Sequence, residues 1–230
     1  MCKRGPKPKK IINETWNANL AYAIGLLATD GCLANDGLLV DLTSKDLEQL
    51  LNFSKCVGVN FKIGNKWNSN GDKSLRIQFK NRIFYDFLLF IGLTPQKSLT
   101  IGKLVIPDKY FFDFLRGCFD GDGCFYSYWD PRWKSSHMFY LEFASASSKH
   151  LSWIQEEIKK RINVVGHITG RKKKVFFQLK YAKKEAMGII KKMYYNQKVV
   201  CLSRKRLKIK KALGVEKKQQ REYKNSIFTK

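Results

Sequence analysis

The sequence predicts an α+β fold built twice over, each copy running α-β-β-α-β-β-α, and three observations carry that prediction. First, G-x-x-x-x-D-G-C occurs at Gly25 to Cys32 and again at Gly117 to Cys124, an offset of 92 from Asp30 to Asp122. At average residue frequencies four matched positions arise roughly once in 10⁵ starts, so chance is a poor account. Second, echoes follow in the same order: "LRIQFKN" at 75–81 with "VFFQLKY" at 175–181, and "LTPQKS" at 93–98 with "YYNQKV" at 194–199. Third, apolar residues switch between helical and alternating spacing in the same order through both halves. The offset grows to 100 between Gln78 and Gln178, which places an insertion in the hairpin around "YWDPRWKSSH", where Asp130-Pro131 marks a turn.

In the first copy a helix runs over about 20–29, apolar on most sides and therefore buried, with Asn17 or Asn19 as its N-cap. A strand-like run "GLLVDLTS" follows, then a helix over "KDLEQLLNFSKCVG", strands over "NFKIGNKW" and "SLRIQFKN", and a helix over "RIFYDFLLFIGL" closed by Gly92. The second copy reads as a helix over about 109–119, strands near "CFYSYW" and "FYLEFAS", and the helix "KHLSWIQEEIKKRIN". Strands near "GHITGR" and "VFFQLKY" and a helix over "KKEAMGIIKKMYY" complete it. Strand alternation turns Leu75, Ile77 and Phe79 inward and Arg76, Gln78 and Lys80 outward. By the same rule Val175, Phe177 and Leu179 pack inward, leaving Phe176, Gln178 and Lys180 outside. "CLSRKRLKIKKAL" reads as a final basic helix docking through Leu202, Leu207, Ile209 and Leu213. The expected organisation is a basic disordered arm over 1–11, repeats over 12–105 and 106–214, and a loose basic tail over 215–230.

Charge bounds the function. Lys and Arg number 44 against 19 Asp and Glu, a net +25, so a polyanion is the expected partner. The basic residues lie along strand-like segments as well as helices, which favours nucleic acid over a membrane surface. No apolar run approaches a membrane span. The cysteines at 2, 32, 56, 118, 124 and 201 form no C-x-x-C pair, and His137, His150 and His167 form no close motif, against a zinc ribbon or a histidine-based nuclease. The amino terminus lacks an apolar signal core, so an intracellular, reducing location is expected, cytoplasmic in a prokaryote or within an organelle.

The motifs carry the chemistry. A helix C-terminus bears partial negative charge, so a carboxylate is least welcome there. One reading of each Asp-Gly is an ordinary C-cap with a left-handed glycine. The other packs the two helices through Gly25 and Gly117 and brings Asp30 and Asp122 side by side, where a divalent cation would relieve their repulsion.

"AIGLLATDG" (23–31) and "LRGCFDGDG" (115–123) resemble the nine-residue signature of the LAGLIDADG homing endonucleases in their single-chain, two-motif form, over about residues 12–214. The first motif departs from the signature at Ala28, where the family usually has Asp. The resemblance implies two four-stranded antiparallel sheets forming a saddle on double-stranded DNA, with the motif helices at its centre. It implies a monomeric, site-specific endonuclease that hydrolyses one phosphodiester on each strand of a long asymmetric target. Mg²⁺ is the implied cofactor, with Mn²⁺ substituting and Ca²⁺ supporting binding without cleavage. Carried across residue by residue, Asp30 and Asp122 would ligate the metal, helped by the carbonyls of Thr29 and Gly121. Lys97 and Lys198 take the place of a basic residue beside the cleavage centre, just before the terminal helix of each repeat. Ser44 and Ser147 take that of a polar residue ending the second strand, and equally suit helix N-caps. The candidate DNA-facing set is Lys62, Lys66, Arg76, Gln78 and Lys80 in the first copy. In the second it is Tyr126, Tyr128, Arg132, Thr169, Arg171, Lys173, Gln178 and Lys180. A DNA-binding regulator or an RNA maturase on the same fold is the alternative, RNA being a partner only in the latter.

Overall fold

The computed structural model describes residues 9–67, 69–171 and 175–228. The first half contains α1 (Ala18–Asp30), β1 (Gly31–Leu33), β2 (Leu39–Ser44), α2 (Leu47–Val57), β3 (Ile63–Trp67), β4 (Lys73–Lys80), α3 (Arg82–Phe90) and the short α4 (Lys97–Thr100). A 3₁₀ turn at Asp108–Tyr110 leads into the second half: α5 (Phe111–Asp122), β5 (Gly123–Trp129), β6 (His137–Ser145), α6 (Ser148–Ile162), β7 (His167–Arg171), β8 (Phe176–Tyr181), α7 (Lys183–Met193) and α8 (Ser203–Phe228). The architecture is α+β, with two antiparallel four-stranded sheets ordered β1-β2-β4-β3 and β5-β6-β8-β7.

Local chemistry explains the boundaries. The Asn17 side chain accepts from Leu20 N at 2.9 Å and starts α1, whose residues from Leu20 to Ala28 are all buried. Asp46, Asn81 and Ser147 cap α2, α3 and α6 in the same way, and Gly58, in the left-handed region at φ 70°, closes α2. Asp130 anchors the longer hairpin turn, its N–H donating to Ser136 O while its carbonyl accepts from Trp133 N. One apolar core joins α1 and α5 to the inner faces of both sheets, including Val40, Leu42 and Ile77 on one side and Phe139, Leu141 and Leu179 on the other.

Several expectations need correction. The three-residue β1 follows the first motif directly and is too short to show a period. Val175 is 60 % exposed rather than inward, because it lies just before β8 at the open end of the sheet. α8 docks through Leu202, Ile209 and Ala212, but Leu207 is 53 % exposed on its outer side. The segment after Gly214 is not loose: α8 continues to Phe228, and Glu216 pairs with Lys183 at the start of α7. Residues 1–8 of the expected arm lie outside the described residues, but Lys9 and Lys10 are tied down. The Lys9 carbonyl accepts from Asn81 Nδ2 at 3.0 Å, and Lys10 pairs with Glu14 at 2.7 Å.

Candidate active site and nucleic-acid interface

The site is built on a helix seam. A Cβ added to Gly25 would lie 2.2 Å from Phe114 O, and one added to Gly117 would lie 2.1 Å from Tyr22 O, so α1 and α5 touch backbone to backbone. Both helices therefore end together, at Asp30 and Asp122. The glycines that follow are extended, with φ −82° and −81°, so the left-handed C-cap reading fails. Their lack of a side chain is needed for space, since a Cβ would lie 2.5 Å from Leu27 O at Gly31 and 2.5 Å from Phe119 O at Gly123. Asp30 Oδ2 lies alongside the last turn of α5, where a Cβ on Gly121 would come within 2.9 Å of it.

Burial raises the pKa of both carboxylates above the ordinary range, and the Asp30 charge raises Asp122 further. Gln49 Nε2 opposes this at Asp30 by donating to Oδ2 at 2.5 Å. Two ammonium groups complete the cluster. Lys97, only 7 % exposed at the start of α4, donates to Thr29 O at 3.1 Å, and burial lowers its pKa against the pull of Asp122 and Asp30. Lys205 on α8 sits among the carbonyls of Phe119, Asp120, Gly121 and Gly123 at 2.6, 2.8, 3.2 and 2.7 Å, and burial pushes its pKa down to about 8. Each lysine thus offsets the negative end of one motif helix.

The expected site residues fall as follows. Thr29 O and Gly121 O, expected to help hold a metal, each accept from a lysine. Lys198 is exposed in the turn after α7, its N–H accepted by Asn196 Oδ1 at 2.9 Å, whereas Lys205 is the lysine that lies at the end of α5. Ser44 Oγ donates to Gln49 Oε1 at 3.0 Å, so it orients the amide that holds Asp30, and Asp46 supplies the cap of α2. Ser147 is buried, caps α6 and donates to Ile101 O at 2.5 Å, which removes it from any ligand-facing surface. The second-half counterpart of Ser44 is Ser145, which accepts from Ser147 N at 3.1 Å as Ser44 accepts from Asp46 N at 3.0 Å.

Among the described residues no three His, Cys, Asp or Glu groups lie together in a way that could hold a metal ion. The donor set at the seam still fits a hard divalent cation. Two carboxylates meet at negative helix ends, and such an ion takes its remaining ligands from water and phosphate oxygens.

Outward from the seam lie two sheet faces. On the first, Lys66, Arg76, Gln78 and Lys80 share the outer side of β3 and β4, and Lys62 is exposed just before β3. On the second, Tyr126, Tyr128 and Tyr140 stack, with ring centroids 5.4 to 6.5 Å apart, and Lys180 lies over Tyr126 and Tyr140. Gln178 and Thr169 are opposite each other on β8 and β7, and Arg132 is exposed at the hairpin tip, paired with Asp130. Lys173 and the side chain of Arg171 lie outside the described residues. Sequence reading missed Gln49, Lys205, Asp41, Glu142 and Tyr140. Asp41 had a signal, since alternation in "VDLTS" puts it outward beside Thr43; Lys205 had none, because α8 has no counterpart in the first half.

No protein-family model matches the chain, and no curated protein matches it significantly. Solved structures do match. The homing endonuclease I-WcaI bound to its DNA recognition sequence is 14 % identical at TM-score 0.59, covering 89 % of this chain and 93 % of that one. I-SmaMI bound to uncleaved DNA target in the presence of calcium ions is 13 % identical at TM-score 0.60, with the same coverage. The N-terminal LAGLIDADG domain of DUF199/WhiA is 15 % identical at TM-score 0.52, covering 81 % and 86 %. The chain has the LAGLIDADG fold. That fold is shared by proteins solved with DNA and by the WhiA domain, so what the saddle does in this chain rests on its own residues.

Proposed function

We propose that the protein is a site-specific double-strand DNA endonuclease that hydrolyses one phosphodiester on each strand of a long asymmetric target. One observation carries this reading: two carboxylates, each beside a buried ammonium group, meet at the junction of two LAGLIDADG halves whose outer faces are lined with basic and aromatic side chains. Asp30 and Asp122 would hold divalent metal, which would supply a Lewis acid and an activated water, Mg²⁺ with Mn²⁺ as substitute and Ca²⁺ supporting binding alone. Gln49 fixes the orientation of Asp30. Lys97 and Lys205 would offset, from the two helix ends, the negative charge that develops in the reaction, and with a pKa of about 8 Lys205 is mostly protonated at pH 7. The net charge of +25 draws in the duplex, and the outer strand residues read it. Two motifs in one chain make the working unit a monomer, which light scattering checks, and the free thiols suit a reducing interior.

The test is incubation of a plasmid library carrying diverse long inserts, in Mg²⁺ or EDTA, with Asp122→Asn alongside, followed by sequencing of new ends. Ends clustered at one long motif, lost in EDTA and in the variant, are expected. A second reading is binding without cleavage, which needs only the basic and aromatic outer faces. Selective retention of some inserts without new ends would establish it.

A further inference from the structure

Each outer sheet face hides one carboxylate. Asp41 on β2 and Glu142 on β6 are 8 % and 6 % exposed, and they occupy matching places, opposite Cys32 and Cys124 two residues beyond each motif aspartate. Both point outward, since their neighbours Val40, Leu42, Leu141 and Phe143 face the core. A buried carboxylate is costly to desolvate and is worst placed on a surface meant for a polyanion. Both acids are nonetheless covered by cations that remain about one-third or more exposed. Asp41 lies 3.5 Å from Lys66 and 3.6 Å from Arg76, and it accepts from Thr43 Oγ1 at 2.8 Å. Glu142 lies 2.6 Å from Lys180 and accepts from Tyr126 Oη at 3.1 Å. The acids form the floor and the cations the upper layer, so an approaching duplex meets the cations first.

We propose that Asp41 and Glu142 are paired positioning residues for sequence discrimination, one in each half of the saddle, that hold Arg76, Lys66 and Lys180 in fixed directions and cancel part of their charge. This rests on the duplex-binding reading above, but not on cleavage. An untethered Arg or Lys swings to any phosphate, and phosphate contacts carry no sequence information directly. A cation held by an acid beneath it keeps a fixed fork or point for a base edge and contributes less to indiscriminate attraction. Matching places with different residue types, Asp with Arg and Lys in one half and Glu with Lys and Tyr in the other, fit an asymmetric target in which the same need is met twice.

The test uses the full-length protein, Asp41→Asn, Glu142→Gln and the pair combined. Binding is measured by fluorescence anisotropy in Ca²⁺ across a salt series, on a duplex recovered from the selection and on a scrambled duplex of equal length. Freeing a cation that then neutralises a phosphate adds about 0.9 to the salt slope. The expected result is a scrambled-duplex slope steeper by about 0.5 to 1 per variant, several-fold tighter scrambled binding, and a target-to-scrambled ratio lower by about tenfold. In an Arg76→Gln, Lys66→Gln background the effect of Asp41→Asn should vanish, an outcome that a merely structural acid would not give. Unchanged slopes, or equal weakening on both duplexes, would overturn the proposal. If one variant fails to fold, the other half supplies an independent reading. A protein that binds duplex without cutting sinks the endonuclease reading and leaves this test intact; one with no salt-dependent duplex binding sinks both.

Discussion

The two halves of the molecule agree at the seam and disagree almost everywhere around it. Gly25 and Gly117 make the same backbone contact from opposite sides, and Asp30 and Asp122 end the two helices alike. Yet Asp30 is held by Gln49, the third residue of α2, whereas the third residue of α6 is His150, whose ring turns to Gly102 O at 2.7 Å. The lysine beside the first motif comes from within its own repeat and that beside the second from α8. One outer face is ionic, centred on Asp41, and the other carries three stacked tyrosines. The lesson is one of constraint. Residues that touch the other half must satisfy both halves at once, and those that touch only their own sheet or the target are free to diverge.

The largest effect should come from breaking the part that agrees. Gly117→Ala and Gly25→Ala each place a methyl group within about 2 Å of a carbonyl oxygen in the facing helix, a clash only separation of the helices can relieve. Each is expected to cost at least ~3 kcal/mol in urea unfolding, and by a similar amount if the seam is symmetric. Gly188→Ala, in α7 with its nearest outside atom at 3.7 Å, should be neutral or stabilising by up to ~1 kcal/mol. A large difference between the two seam variants would show that one half bends more readily.

A smaller effect sharpens the part that disagrees. Lys205→Met removes the ammonium group beside the second motif and should slow cleavage of one strand by roughly 10²-fold, so that nicked plasmid accumulates. Lys198→Met should change the rate by less than about twofold, because that side chain is exposed and away from the carboxylates. Equal loss in both variants, or loss in Lys198→Met alone, would return the role to the position that repeat matching suggests.

That contrast also shows what the sequence made legible. The repeat order, the inward face of β4 and the two aspartates could be read because helical and strand periods and the motif glycines are local signals. Lys205 could not, because α8 has no counterpart in the first copy and brings its lysine to the site only by docking on the core through Ile209 and Ala212. The resemblance pairs Ser147 with Ser44, whereas hydrogen bonding pairs Ser44 with Ser145, two residues earlier. Serine serves both as strand end and as cap in this turn, and only the register separates them.

The smallest expected effect tests a place where the seam itself is lopsided. Asp120 Oδ2 accepts from Tyr22 Oη at 2.8 Å and from Leu202 N at 2.7 Å, while Oδ1 is buried without a partner. The mirror positions, one motif offset away, are Ala28 and Phe114, both buried and apolar. Burial raises Asp120 to about 6, with its hydrogen bonds and Lys205 opposing. A folded pKa above the unfolded value of 3.8 means that protonation favours the fold, a contribution complete below pH 4 and lost as pH rises through 6. His150, lowered to about 4, acts in the opposite sense, because the unfolded chain takes up its proton from about pH 6.5 downward. Wild type alone would therefore show a flattened profile. The difference between wild type and Asp120→Asn isolates the carboxyl: between pH 7 and pH 5 wild type should gain about 1 kcal/mol relative to the variant in urea unfolding. A difference that does not vary with pH would mean that Asp120 stays charged in its buried place, and that Lys205 and the two donors stabilise the anion more than burial opposes it.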